Sequence, residues 1–246
     1  MKLRKQMKTT MSLAAAMGTL ALATSAQAAT PITVLEHSFE GAKALGGWTG
    51  AGAGAGESTG NLPSPWIITG GQGTGWTIAS QFTGGIPDGD IYAYTNTAGN
   101  LSQTLAATLQ ADTDYTLTVA TGWRADLPGL GFPVYPGYGI EIYAGATLIA
   151  SDYSTELGGT GAGPAGDSWK DVTATYTYDP GDAGLVGQAL EIRLLGGPNG
   201  IDPNFPTLAV QTNYDNVRLD ATAVPEPSSA ALLGLGGLAL ILRRRK

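Results

Sequence analysis

The stretch "YTLTVATGW", Tyr115 to Trp123, decides the fold class. Tyr115, Leu117 and Val119 take every second position, with Thr116, Thr118 and Ala120 between them. Successive side chains of an extended chain point to opposite faces, so this pattern describes a strand with one buried face and one polar face. The pattern recurs downstream. "YGIEIYAG" sets Ile140 and Ile142 against Glu141 and Tyr143, and "LEIRLL" sets Leu190, Ile192 and Leu194 against Glu191 and Arg193. "WKDVTATYTY" sets Val172, Ala174, Tyr176 and Tyr178 against Asp171, Thr173, Thr175 and Thr177. Shorter candidates are "ITVLEHSF", "WIIT", "GWTIAS", "IYAYT", "LSQTL", "TLIAS", "TLAVQ" and "YDNVRL". "LSQTLAATLQAD" also fits a helix face, and reads as a strand from Leu101 to Leu105 followed by a loop to Thr113. Many short strands between Gly- and Pro-rich turns make an all-β sandwich or barrel.

The two ends are of another kind. Residues 1–28 run from a basic start (Lys2, Arg4, Lys5, Lys8) through an apolar segment to Ala26-Gln27-Ala28, the layout of a secretory signal peptide cleaved after Ala28. At the other end, Ser228 to Leu242 is an apolar run of 15 residues. As a transmembrane helix it reaches roughly 22 Å, short of a hydrocarbon core of about 30 Å. Arg243, Arg244, Arg245 and Lys246 keep that end cytoplasmic under the positive-inside tendency.

Val224-Pro225-Glu226-Pro227, the short apolar helix and the basic cluster together resemble the PEP-CTERM sorting signal of Gram-negative bacteria. The resemblance covers residues 224–246. It implies an inner-membrane-anchored precursor whose Pro-Glu-Pro is recognised by exosortase, a membrane-embedded transpeptidase that removes the tail. The protein then reaches the cell surface or extracellular matrix.

Residues 29–223 remain as one domain. From Ala29 to Pro227 there are five cations (Lys43, Arg124, Lys170, Arg193 and Arg218) against all twenty acids, a balance of −15. That excludes nucleic acid, whose binding depends on neutralising phosphates. With no cysteine there is no disulfide framework, thiol nucleophile or cysteine metal site, and the single His37 rules out a multi-histidine cluster.

The order "SFEG…GW" (Ser38 to Gly41, Gly47-Trp48), "YTLTVATGWR", "YGIEIYAGATLIAS" and "YDNVRLDA" resembles the galactose-binding-like jelly roll of many carbohydrate-binding modules. The likeness runs from Glu36 to Ala221. It implies a structural Ca²⁺ held by Glu40 and Asp215 beside the chain ends. By alternation Asp215 shares a face with Val217 and Leu219, so an inward Asp needs neutralising, and calcium does that with carboxylates and carbonyls. The alternative is an Asp at a strand start bonded to a turn.

For a glycan, the candidate platforms are Trp76, Trp123, Tyr135 and Tyr138, with Arg124 and Asp126 to meet hydroxyls. The loop Arg124 to Gly139 is the richest region, since its prolines hold aromatics out at low entropic cost. Alternatively these rings seal the ends of the sandwich. No catalytic residue stands out. His37 lies in a strand candidate without a G-x-S-x-G turn, and no carboxylate pair is singled out among twenty acids. The expectation is therefore a non-enzymatic surface protein for adhesion or scaffolding, with weak binding to exopolysaccharide. A purely structural surface protein and a polysaccharide-degrading enzyme are the rivals.

Overall fold

A computed structural model describes residues 27–45, 49–50, 57–76, 81–125, 135–197, 201–202, 205–209 and 211–224. The apolar segment of residues 1–26 lies outside them, as do Pro225, Glu226, Pro227 and the tail that follows. Among the described residues no helix is long and apolar enough to cross a membrane.

The alternating runs become strands, with three short 3-10 turns and no α-helix among the described residues. The strands are β1 (Thr30–Ile32), β2 (Thr49–Gly50), β3 (Glu57–Thr59), β4 (Ile67–Trp76), β5 (Ile91–Thr108), β6 (Thr113–Trp123) and β7 (Tyr138–Ala144). They continue with β8 (Thr147–Tyr153), β9 (Ser168–Tyr176), β10 (Ala189–Gly196), β11 (Ile201–Asp202), β12 (Phe205–Ala209) and β13 (Gln211–Ala223). All ladders are antiparallel, as in a jelly roll.

The expected strands "IYAYT" and "LSQTL" are one strand of 18 residues. The first half of β5 pairs with β13 through Ala93–Asn96, and its second half pairs with β10 through Asn100–Thr108. β4 follows it along both halves, with a register shift between Thr69 and Gly71 at Gly70, whose φ is 94°. That bulge bends the β4–β5 pair so that it serves both layers. The first layer is β4 (start), β5 (second half), β10, β7 and β8. The second is β4 (end), β5 (first half), β13, β6 and β9, with β1 at its edge.

The core lies between the layers. Leu101, Ile140, Ile142, Leu190, Ile192 and Leu194 come from one side, and Ile91, Leu117, Val119, Val172, Tyr214, Val217 and Leu219 from the other. Each of these buried side chains contributes about 1.5–3 kcal/mol against the cost of ordering the chain. The expected strand "ITVLEHSF" is shorter than its pattern suggests: β1 ends at Ile32, and a turn follows with Glu36 at φ 50° and Phe39 at φ 60°. Glu40 accordingly opens a 3-10 turn, Glu40–Ala44, rather than sitting in the first strand.

Alternation also fails in β13. Its register against β6 slips between Asp215 and Arg218, and Asn216, at φ 49°, is the extra residue. Asn tolerates this left-handed backbone better than most residues. Tyr214, Val217 and Leu219 stay in the core, while Asp215 pairs with Ala120 on the outer face. The expectation that Asp215 shares an inward face with Val217 and Leu219 is thus corrected by one bulged residue.

Candidate functional site

The outer face of the second layer carries a row of paired residues: Trp169 on β9, Gly122 on β6, Asn213 on β13 and Tyr94 on β5. Two residues further along β13, roughly 7 Å away, lies Asp215. Trp169 can lie flat on the sheet because Gly122 has no side chain; a Cβ there would meet the indole at 2.7 Å.

The segment Gln81–Asp90 crosses this face as a strap. Phe82 packs beneath it on Trp169 (centroids 4.6 Å apart) and on Tyr92 (5.5 Å), giving a second apolar cluster of Phe82, Tyr92 and Tyr94 bordered by Ile86 and Trp169. Hydrogen bonds hold the strap along its length. The Tyr92 hydroxyl donates to Gln81 Oε1 at 2.8 Å, the Thr83 amide donates to Asp167 at 2.8 Å, and the Asp88 amide donates to Asp215 Oδ2 at 2.8 Å. The Asp90 and Ile91 amides both donate to Glu40 Oε1, at 2.7 and 2.8 Å.

Under this cover several polar atoms have no partner among the described residues. Asp215 and Asn213 are both fully buried, yet Oδ1 of each is unpaired; Trp169 Nε1 is likewise buried and unpaired. The other end of the Asn213 amide donates to the Gly122 carbonyl at 3.0 Å, which fixes its orientation. Burial pushes the Asp215 carboxyl up to about 7, with the charges of Asp88 and Glu40 adding to the rise and the Asp88 and Asn216 amides opposing it. Asp215 therefore offers a carboxylic acid near neutral pH, on the same sheet face as the rings of Tyr92, Tyr94 and Trp169. Such a group can donate a proton, and the rings can stabilise positive charge that forms nearby.

Of the expected glycan residues, Tyr135 and Tyr138 do not form an exposed platform. Tyr135 and Tyr138 are 5% and 1% exposed, and their hydroxyls bond to Thr121 at 2.6 Å and Asp152 at 2.8 Å. Both rings are in the core. Trp123 is half-buried with its ring 6.0 Å from Tyr135, and Arg124 donates to Gln211 at 2.6 Å. The backbone of Trp76 closes β4 opposite Ile91, while its side chain and all of Asp126 lie outside the described residues.

Glu40 and Asp215 do come near each other, since the charge of Glu40 helps raise the Asp215 carboxyl. They fit calcium poorly as arranged. Glu40 Oε1 is taken by two amides and Oε2 by Lys43 Nζ at 2.6 Å, and Lys43 also reaches Asp90 at 2.8 Å. Asp215 Oδ1 is the one open carboxylate oxygen of the pair. Among the described residues no three His, Asp or Glu side chains converge as metal ligands.

Sequence reasoning missed Asn213, Trp169, Phe82, Tyr92 and Tyr94. The available signal was the alternation in "IYAYT", which places Tyr92 and Tyr94 together on the face away from Ile91 and Ala93.

Aromatic rings and unpaired polar atoms are thus gathered on one sheet face beneath the strap. The family described as HpiC1 cyclase matches residues 30–220, so the chain belongs to the HpiC1-like family. The PEP-CTERM protein-sorting motif matches residues 223–246, which makes this an exported protein processed by exosortase at the membrane. Among solved structures it is similar to an apo cyclase from Fischerella sp. (25% identity, 80% of this chain and 98% of that one, TM-score 0.58). It is similar as well to the Stig cyclase Fisc from Fischerella sp. TAU in complex with (3Z)-3-(1-methyl-2-pyrrolidinylidene)-3H-indole (25%, 80% and 100%, 0.61). A further cyclase from Fischerella sp. TAU shares the fold (24%, 81% and 100%, 0.59). Comparison with curated proteins finds no match. Membership in a family of cyclases overturns the expectation of a non-enzymatic protein.

Proposed function

We propose that this domain is an exported enzyme that closes a ring in a neutral, electron-rich aromatic substrate, with Asp215 as the acid. One observation carries the reading. Asp215 is buried on an aromatic face, has one oxygen free, and keeps its proton up to about pH 7. The substrate lies against Tyr92, Tyr94 and Trp169 once the strap lifts. Asn213 Oδ1 accepts a hydrogen bond from it and Trp169 Nε1 donates one. Asp215 gives its proton to a carbon–carbon double bond of the substrate. The resulting cation is attacked by the substrate's own π-electrons, forming the new ring bond. A proton then leaves the ring carbon and returns to the Asp215 carboxylate. The net change is an isomerisation that needs no co-reactant. An indole is the ring we favour, because the Fisc structure is a complex with an indole compound.

The enzyme acts at the cell surface or in the matrix after the signal peptide and tail are removed. The test is incubation with indole-bearing alkenes and a search for products of unchanged mass and altered retention. Asp215→Asn, which keeps the shape of the side chain, is expected to lower the rate at least 100-fold, in the range for lost general-acid catalysis. A variant as fast as the wild-type protein rejects Asp215 as the acid.

A further inference from the structure

The first layer has an outer face of its own, open and polar, which the proposed chemistry does not use. Glu141 on β7 faces Arg193 on β10 and Ser151 on β8, and Tyr153 and Tyr143 stand at either end of this centre. Glu141 is only 6% exposed, an expensive position for a carboxylate on an outward face. Burial, together with the hydrogen bond its hydroxyl donates to Glu141 and the charge of that group, pushes the Tyr153 phenol up to about 12; Tyr143 also bonds Glu141. Arg193 stacks 3.8 Å above the Tyr143 ring and donates through Nε to Glu191 at 2.5 Å. The Tyr153 ring rests over Gly139, where a Cβ would meet it at 2.9 Å. Both rings are thus held before any ligand arrives, so binding there costs little side-chain entropy.

We infer that this face, with Tyr153 and Tyr143 around the Glu141–Arg193 centre, binds a neutral polysaccharide. Two argued features select that occupant. The face carries one guanidinium and two carboxylates within a domain of balance −15, so an anionic polymer is repelled. Its middle is the charged pair and its apolar neighbour Ile67, 59% exposed, lies at the rim beyond Ser102. A protein interface has the reverse plan, an apolar middle and a polar rim. Planar donor and acceptor groups between flat aromatic faces suit the hydroxyls and C–H faces of sugar rings. Tyr153 lies opposite Gly139 and Tyr143 is four residues further along β7, a span of roughly 13 Å. That is longer than one sugar ring, so the ligand is a chain. The inference is independent of the ring-closing activity and goes beyond it.

The experiment is affinity electrophoresis of the full-length protein in a detergent with no sugar head group. The gels contain xylan, β-1,4-galactan or hydroxyethylcellulose as probes, with alginate as the anionic comparison. Retardation by at least one neutral polymer is expected. Tyr153→Ala is expected to weaken it tenfold or more, and so is Arg193→Lys, which keeps the charge but loses the planar fork. Asp215→Asn is expected to be retarded like the wild type while losing ring closure, which separates failure of this inference from failure of the proposed enzyme. No retardation in any neutral gel, retardation by alginate alone, or wild-type retardation of both the Tyr153 and Arg193 variants overturns the inference.

Discussion

The two outer faces of this sandwich use the same device and leave it in opposite states. On each, an aromatic ring lies over a glycine of the neighbouring strand: Trp169 over Gly122 in the second layer, Tyr153 over Gly139 in the first. On the first layer the buried carboxylate, Glu141, has its hydrogen-bond donors in place. On the second, Asp215, Asn213 and Trp169 each keep a buried polar atom without a partner under the strap. A buried polar group left unpaired costs about 1–3 kcal/mol, so this face carries a cost that the first layer avoids. A satisfied, open network is ready without rearrangement. One face is covered and unsatisfied, the other open and satisfied.

The comparison breaks most sharply along the pH axis. Asp215 holds its proton in the folded protein up to about pH 7, against 3.8 for the ordinary group. Between these values the native state keeps a proton that the unfolded chain has lost. The stability from this group is therefore complete below pH 3.8 and is lost as pH rises through 7. The shift corresponds to roughly 4 kcal/mol. Denaturant unfolding at pH 4.5 and 8 is expected to show wild-type protein losing stability relative to Asp215→Asn by that order. Parallel pH curves for the two proteins mean that Asp215 is not a desolvated acid.

Adding one methyl group to each glycine compares the seats directly. Gly122→Ala forces the Trp169 indole away from a contact of 2.7 Å, beneath the packed ring of Phe82. Gly139→Ala meets a Tyr153 ring that is partly exposed and can tilt outward. Overpacking costs about 1–3 kcal/mol in a filled site. Gly122→Ala is expected in that range and Gly139→Ala below it, as measured by unfolding midpoints. Equal costs show that the strap does not confine Trp169.

The smallest effect concerns the cation expectation. Glu40 is already met by two amides and Lys43, so calcium at pH 8 is expected to leave the wild-type unfolding midpoint unchanged. Lys43→Ala frees Glu40 Oε2 beside Asp215, and a calcium-dependent rise is expected to appear in that variant. A rise in the wild-type protein shows instead that the ion displaces the ammonium group.

Much of the fold was legible because alternation is a local signal. "YTLTVATGW", "WKDVTATYTY" and "LEIRLL" became β6, β9 and β10 with the expected residues inside, except Tyr178, which lies past the end of β9 and is only partly buried. What escaped depended on partners distant in sequence. β5 reads as two strands until its halves are seen pairing with β13 and β10, and Asn216 offers no mark that it will be bulged. The site was hidden for the same reason. A search for catalytic motifs looks for a nucleophile with a base or for paired carboxylates. Asp215 keeps its proton because of desolvation under a strap 127 residues away in sequence, and single-sequence reading has no pattern for that. The rings expected on the surface, Tyr135 and Tyr138, were instead the kind that fill a core.

The pairing of β13 bears on how this protein comes to be folded at all. β13 joins β1, β5 and β6, so the second layer is not closed until Gln211–Ala223 is available. In a chain made from its N-terminus, that strand is made after all the others, adjoining the sorting motif at residues 223–246. Long-range pairing is slow to form and exposes sticky edges while it waits. The second layer thus completes itself only with the last strand before the sorting motif.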